Sequence, residues 1–392
     1  MTSVACSTGL DRITTDVPAH LRGARVGLIA NPASVDACLV HALDRIANCP
    51  DLQLIAAFGP QHGARGDMQD NMIESDDAFD SRLDIPVFSL YGQHRKPTPE
   101  MLADVDALLC DLPDVGCRPY TFLSTMVLSM QACAENGKRF VVLDRPNPIG
   151  GIELEGNVLD PRFRSFIGLY PLPMRHGMTM GELAALLNTE YSIGAELEII
   201  RMSGWQRELY QDHTDFPWVL PSPNMPTIDT AIVYPGTVLI EGTNLSEGRG
   251  TTRPFETIGA PFLDADSFAA RLNGFDLPGV RFRPTWFRPT FEKWCGQLCG
   301  GIQMHVTDRL AFRPFFTGLA IIKTAMELAP DAFAWRQPPF EYEWEKLPID
   351  ILCGTDAIRT GLEEQEDIAA LEAAWQADLE AFAKVRERYL LY

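Results

Sequence analysis

Long apolar runs are missing from this sequence. No stretch of its 392 residues comes near the roughly 18 consecutive apolar residues that a membrane-spanning helix requires. Basic charge is scarce as well: 33 lysines and arginines face 53 aspartates and glutamates, for a net charge of −20. A field of that sign repels phosphate backbones and anionic lipid, so neither nucleic acid nor a membrane surface is an expected partner. The nine cysteines are odd in number and lack paired spacing, which is the usage of a reducing compartment and not of a disulfide scaffold. The opening residues carry neither a basic n-region nor an apolar h-region, so no secretory signal is expected and the chain is read as cytoplasmic. Internal repeats and low-complexity tracts are lacking. No G-x-G-x-x-G follows the first strand, no Walker lysine loop occurs, and no G-x-S-x-G elbow occurs. These absences weaken dinucleotide, nucleotide and serine-hydrolase readings. Cys295, Cys299 and His305 have irregular spacing and no evident fourth ligand, so no metal is expected.

What is present is the composition of a globular protein, 46% hydrophobic and 22% charged, with length for about two domains. Apolar runs at 25–30, 53–58, 85–90, 107–110 and 140–143 read as strands buried on both faces. Between them, Leu39, Leu43 and Ile46 share one helical face, and Phe122, Leu123, Met126, Val127 and Met130 share another. This alternation predicts a Rossmann-like, doubly wound parallel sheet. The expected division is a Rossmann-like domain over 1–160 and a second α/β (α+β) domain over 161–392. In the second half, Thr179 and Glu182 form a capping box at a helix start. Residues 196–200, 280–283 and 302–306 read as strands, and 218–261 shows no clear periodicity. Ile368, Leu371, Trp375, Leu379, Phe382, Val385 and Tyr389 make one apolar stripe on a closing helix.

The residues able to do chemistry gather after the strands. Asn31-Pro32, Gly59-Pro-Gln-His-Gly-Ala-Arg-Gly66, Tyr91-Gly-Gln-His-Arg-Lys-Pro97, Asp111-Leu-Pro-Asp-Val-Gly-Cys-Arg118 and Asp144-Arg-Pro-Asn-Pro148 follow successive strands. In a parallel sheet such loops share one edge, and open α/β sheets bind ligands there. Candidates for proton transfer are Asp114, Asp144, Glu241, Glu247 and His62. Candidates for binding are Gln61, Arg65, Arg118, Arg145, Arg175, His176, Asn224, Asn244 and Arg249. Paired carboxylates about 5–9 Å apart are what cleavage of a glycosidic bond uses, and arginines clamp a substrate carboxylate through two parallel hydrogen bonds.

At these clusters the sequence resembles the exo-β-N-acetylmuramidase NamZ family. The carrying stretches are Gly59 to Asp67, Ser89-Leu-Tyr-Gly92, Arg95-Lys-Pro-Thr98, Asp111 to Thr121 and Asp144 to Pro148, followed by Glu155-Gly156 and Pro173-Met-Arg-His-Gly-Met-Thr179. Pro221-Ser-Pro-Asn-Met-Pro226, Tyr234-Pro-Gly-Thr237, Glu241 to Thr252 and the closing Tyr389-Leu-Leu-Tyr392 extend the likeness over nearly the whole chain. The resemblance implies a Rossmann-like domain followed by an α/β domain, with the active-site cleft between them. It also implies release of N-acetylmuramic acid from the non-reducing end of peptidoglycan fragments in cell-wall recycling, without metal or nucleotide cofactor. The lactyl carboxylate of that sugar gives arginines a purpose in an acidic protein, with Arg175 and Arg249 first and Arg65 third. One position departs from the family pattern: Gln61 stands where most members carry glutamate. Glutamine neither gives nor takes a proton at neutral pH. Either another carboxylate therefore acts, or the chain binds muramic acid without cutting it. Asp67, Asp70 or Glu74 are further acids within reach of that loop. In a route assisted by the substrate's own acetamido group, Asp114 or Asp144 would orient the amide and Glu241 or Glu247 would protonate the leaving group.

Overall fold

A computed structural model of the chain describes residues 3–63, 66 and 72–392. Its strands, in chain order, are β1 (Ala24–Ala30), β2 (Leu52–Gly59), β3 (Ala78–Asp80), β4 (Ile85–Ser89), β5 (Ala107–Asp111), β6 (Arg139–Leu143), β7 (Glu155–Val158), β8 (Pro173–Arg175), β9 (Glu196–Ile200), β10 (Thr257–Ala260), β11 (Val280–Phe287) and β12 (Cys299–Val306). The 7-stranded central sheet has the order β3-β4-β2-β1-β5-β6-β9. Its neighbours are parallel except for the antiparallel edge pair β3–β4.

Side chains alternate along these strands between two cores. Ile29, Leu108, Cys110, Phe140 and Val142 face the helix Phe122–Glu135 through Met126 and Met130. Val26, Leu28, Leu109, Val141 and Leu143 face the opposite way, against Leu10, Ile13, Ala42 and Ile46 of two short helices. Both faces are covered, which is why the strands read as unbroken apolar runs. The chain steps outward from β1 through β2 and β4, then returns to place β5 on the other side of β1. The switch point between the ends of β1 and β5 is where such a sheet opens a crevice.

Two local expectations are corrected. The helix after β1 starts only at Ala42, capped by His41, while Leu39 is exposed with a φ of 63° and takes no part in it. The featureless stretch 218–261 contains the helix Ile228–Thr237, which runs into a 3-10 turn over Val238–Gly242. This helix is buried on every side from Thr230 to Thr237, so it shows no apolar stripe, and Pro235 and Gly236 disguise its last turn.

Beyond the central sheet, β10, β12 and β11 form an antiparallel sheet backed by the helix Ala265–Asn273. The helices Ile228–Thr237 and Pro314–Leu328 meet at Gly236 and Gly318, where a Cβ on either would run into the backbone of the other. This contact sets the wall that carries Tyr234 and Glu241.

Arg118 ties the early part of the chain to the late part. Its guanidinium is buried and donates to the carbonyls of Asn157 (3.0 Å), Leu172 (2.8 Å), Leu352 (2.9 Å) and Cys353 (2.7 Å). Burial without a carboxylate partner lowers its pKa to about 10. Arg118→Met keeps the apolar stem but removes the donors. It should lower unfolding free energy by about 3 kcal/mol, seen as a reduced urea midpoint at unchanged slope.

Candidate active site

A cleft opens where the loops after β2 and β5 meet the second half of the chain. Gln61 and His62 reach it from the β2 loop, and Tyr120 and Thr121 from the β5 loop. Ser222 and Asn224 line it from a segment that is itself pinned to the end of β1, since the Asn31 amide donates to the Pro221 carbonyl at 3.1 Å. Tyr234, Glu241, Arg249 and Phe255 form the facing wall, and Phe340 and Glu341 close one end.

The charged groups of the cleft are buried and ordered by one another. Arg249 Nη2 lies 2.7 Å from Glu241 Oε1, and its Nε lies 3.2 Å from Glu247 Oε1. Lys293 Nζ lies 2.8 Å from Glu247 Oε2 and also donates to the carbonyls of Ile240 and Leu245. Burial alone would raise the Glu247 carboxyl, but Lys293 and Arg249 outweigh it and hold the group below its usual range. The same pair of carboxylates holds the Arg249 guanidinium above its ordinary value against burial. The Arg249 guanidinium stands 5.1 Å from the centre of the Phe255 ring.

Glu341 is the site residue that the sequence did not disclose. Only 3% of it is exposed. The Tyr91 hydroxyl donates to its Oε2 at 2.8 Å, and the Gln61 amide donates to its Oε1 at 3.2 Å. Thr121 Oγ1 donates to the Gln61 carbonyl oxygen at 2.6 Å, which turns the amide nitrogen toward Glu341. Burial pushes the Glu341 carboxyl up to about 7; Glu241 adds to the rise, while the bonds from Tyr91 and Gln61 and the charge of Arg249 oppose it. In the sequence Glu341 belongs to a run of alternating aromatic and acidic residues, Phe340 to Glu345, which looks like a solvated acidic strand. Its one signal was the preceding Pro338-Pro339, a marker of a turn. Lys293, Tyr91 and Tyr234 likewise carried no assigned role.

Of the residues singled out from the sequence, the cleft gathers Gln61, His62, Asn224, Glu241 and Arg249, with Glu247 directly behind Arg249. The other described ones stand elsewhere. Asp144 is fully buried at the end of β6 and accepts hydrogen bonds from Thr179 Oγ1 (2.7 Å), the Gly181 N–H (2.8 Å) and the Tyr392 hydroxyl (2.7 Å). It caps a helix and latches the chain's last residue. Arg145 is engaged by Asp111 through two bonds of 2.5 and 2.7 Å. Asp114 accepts from the Gly116 N–H at 2.7 Å and lies 3.4 Å from His176 Nε2. With Arg145 it borders a second cavity beside Phe216 and Trp218. His176 has no exposure, and its Nδ1 accepts from the Met178 N–H. Arg175 donates to the Ile149 carbonyl at 2.7 Å, and Arg118 to the four carbonyls above. Asn244 is stapled to 332–334 through Ala332 and Ala334. Among these last residues the arginines and amides hold backbone carbonyls and do not face the cleft. Arg65, Asp67 and Asp70 lie outside the described residues. Glu74 accepts from the Tyr342 hydroxyl at 3.1 Å. Among the described residues, no group of three His, Cys, Asp or Glu side chains is placed to hold a metal ion.

The N-terminal family profile of the exo-β-N-acetylmuramidase NamZ matches residues 26–229, and its C-terminal profile matches 232–392. The chain is 48% identical over 385 residues to the peptidoglycan β-N-acetylmuramidase NamZ of Bacillus subtilis (strain 168), covering 98% of this chain and 91% of that one. Two crystal structures of DUF1343 family proteins from Bacteroides fragilis share the fold. One has a TM-score of 0.90 at 34% identity, covering 100% of both chains; the other has 0.79 at 28%, covering 99% of both.

The position of Asp144 generates a test. Burial raises its carboxyl from 3.8 to about 6, against the donors from Gly181, Tyr392 and Thr179. The folded state therefore binds this proton more tightly than the unfolded chain. Its contribution to stability is present below 3.8 and is lost as the pH rises toward 6. Asp144→Asn should flatten that part of the stability–pH curve, measured by denaturant titration, while leaving turnover nearly intact. A collapse of turnover in a folded variant would return Asp144 to the list of catalytic groups.

Proposed function

Because the chain belongs to the NamZ exo-β-N-acetylmuramidase family, we propose that it is a glycoside hydrolase that releases N-acetylmuramic acid from the non-reducing end of peptidoglycan fragments, in cell-wall turnover and recycling. The observation that carries this reading is the full-length likeness to a muramidase at 48% identity. The cleft supports it. Cleaving a glycosidic bond needs a proton for the leaving oxygen and negative charge near the anomeric carbon, where positive charge develops. Glu241, salt-bridged to Arg249 at 2.7 Å, is our candidate for the second role. A guanidinium offers five N–H donors in a fixed fork. Arg249 contacts Glu241 and Glu247 through Nη2 and Nε, and we assign its remaining face to the lactyl carboxylate of the substrate. Gln61, His62 and Asn224 would supply polar contacts to the sugar. The alternative of a protein that binds muramic acid without cutting it, prompted by Gln61, draws no support from the comparisons.

No helix among the described residues is long and apolar enough to cross a membrane. All nine cysteines are free thiols, which suits a reducing compartment, and we place the enzyme in the cytoplasm.

Incubation with the disaccharide of N-acetylmuramic acid linked β-1,4 to N-acetylglucosamine should give the two free sugars. Failure to turn over any muramide, with folding intact, would sink the reading. Arg249→Lys keeps the charge but loses the fork. It should weaken muramide binding by about ten- to a hundredfold, equivalent to about 1.5–3 kcal/mol, and weaken the matching N-acetylglucosaminide much less. Equal losses on both sugars would show that Arg249 serves only to order Glu241 and Glu247.

A further inference from the structure

Three carboxyl groups meet at the cleft, and they are not held alike. Glu241 and Glu247 each lie against a cation, Arg249 or Lys293. Glu341 is held by neutral donors, the Tyr91 hydroxyl and the Gln61 amide. The Arg249 cation also acts on Glu341 and favours its charged form, but burial, direct partners that are neutral, and the Glu241 carboxylate together favour the protonated form.

The backbone spends strain to keep Glu341 there. Glu341 and Tyr342 have φ values of 45° and 64°, two consecutive non-glycine residues in the left-handed region, which side chains other than glycine's adopt only at a cost. Paired bonds of 2.9 Å between Phe340 and Glu343 close the turn. Tyr342 is then gripped from the other side of the cleft: its ring meets the Tyr91 ring at 5.6 Å and the Arg95 guanidinium at 3.6 Å. The grip on Tyr342 and the bonds to Glu341 come from the loops after β2 and β4, far away in sequence.

We propose that Glu341 is the proton donor to the glycosidic oxygen, with Gln61 and Tyr91 as its positioning residues. The inference rests on the muramidase reading and deepens it. As the bond from the anomeric carbon to the leaving oxygen breaks, its electron pair goes to that oxygen, which takes the proton of the Glu341 carboxyl and departs as an alcohol. Water supplies the hydroxyl that ends on the anomeric carbon, and its other proton restores Glu341. The carboxyl of about 7 suits a group that must hold a proton at neutral pH and still release it. Gln61 thus takes part in catalysis without handling a proton itself.

The test compares two leaving groups. A sugar alcohol leaves poorly without a proton, whereas 4-nitrophenolate leaves readily without one. Glu341→Gln keeps the size of the side chain and removes its transferable proton. Its kcat/KM on the muramic acid–N-acetylglucosamine disaccharide should fall about 10²–10⁴-fold, while 4-nitrophenyl β-N-acetylmuramide loses far less and its activity no longer declines on the alkaline side. Equal losses on both substrates, or no loss on the disaccharide, overturn the assignment of Glu341 alone. A wild type that cleaves neither substrate overturns the muramidase reading and this one with it. Should Glu341→Gln not fold, Tyr91→Phe decides. It removes a donor that favours the carboxylate, so the alkaline decline of disaccharide cleavage should move to higher pH. An unmoved decline counts against Glu341.

Discussion

The arrangement of the cleft depends on the burial of Arg118. A guanidinium taken out of water without a carboxylate is costly, and several well-aligned acceptors are needed to offset that cost; Nη1 and Nη2 of Arg118 find two each, while its buried Nε finds none. Here those acceptors are carbonyls from three separate places: Asn157, Leu172 and the pair Leu352–Cys353. Leu352 also lines the cleft, and the helix that carries it packs on the Val238–Gly242 turn that holds Glu241. One side chain from the β5 loop therefore fixes the height of the wall opposite. The conformation is demanding because so many partners must be right together, and for the same reason it admits few alternatives.

A second constraint is electrostatic. The chain carries a net charge of −20, and a substrate with a carboxylate must still enter. The cleft handles this locally. Arg249 and Lys293 face Glu241 and Glu247 at salt-bridge distance, so those four groups balance. Glu341, raised to about 7 by burial, adds no charge while it keeps its proton. An anion then meets an approximately neutral pocket, and Arg249 can attract it. Were Glu341 ionised, the pocket would repel the sugar it is meant to hold. On this account the proton that leaves with the aglycone is the same proton that makes binding favourable.

Much of the scaffold was legible in the sequence, because doubly covered strands announce themselves as apolar runs. All five runs of the first half are strands of one sheet, and the capping box at Thr179 and the stripe on the helix Ile368–Arg386 are where the pattern put them. The helix Ile228–Thr237 was illegible because burial on every side erases periodicity. The site was legible only in part. Residues that bond to ligands and residues that bond to buried carbonyls are the same types, and Arg118, Arg175 and Asn244 belong to the second kind. Nothing local separates them from Arg249. Glu341 was hidden for a different reason: its environment is assembled from Gln61, Tyr91 and Thr121, 280, 250 and 220 positions away or thereabouts on the chain, and its own neighbours look like surface.

The glutamine at position 61 makes physical sense once Glu341 is in view. The side chain there sits 3.2 Å from a carboxylate oxygen. A glutamate in its place would set two carboxyl groups at hydrogen-bond distance in a buried site, where like charges cannot both ionise and one proton is shared between them. Which of the two gives up the proton would then depend on the pair and not on either residue. Glutamine removes that ambiguity. Thr121 fixes its carbonyl oxygen at 2.6 Å, its nitrogen can only donate, and the one titrating group left in the contact is Glu341. A position that looked like a lost acid in the sequence instead localises the proton on a neighbour.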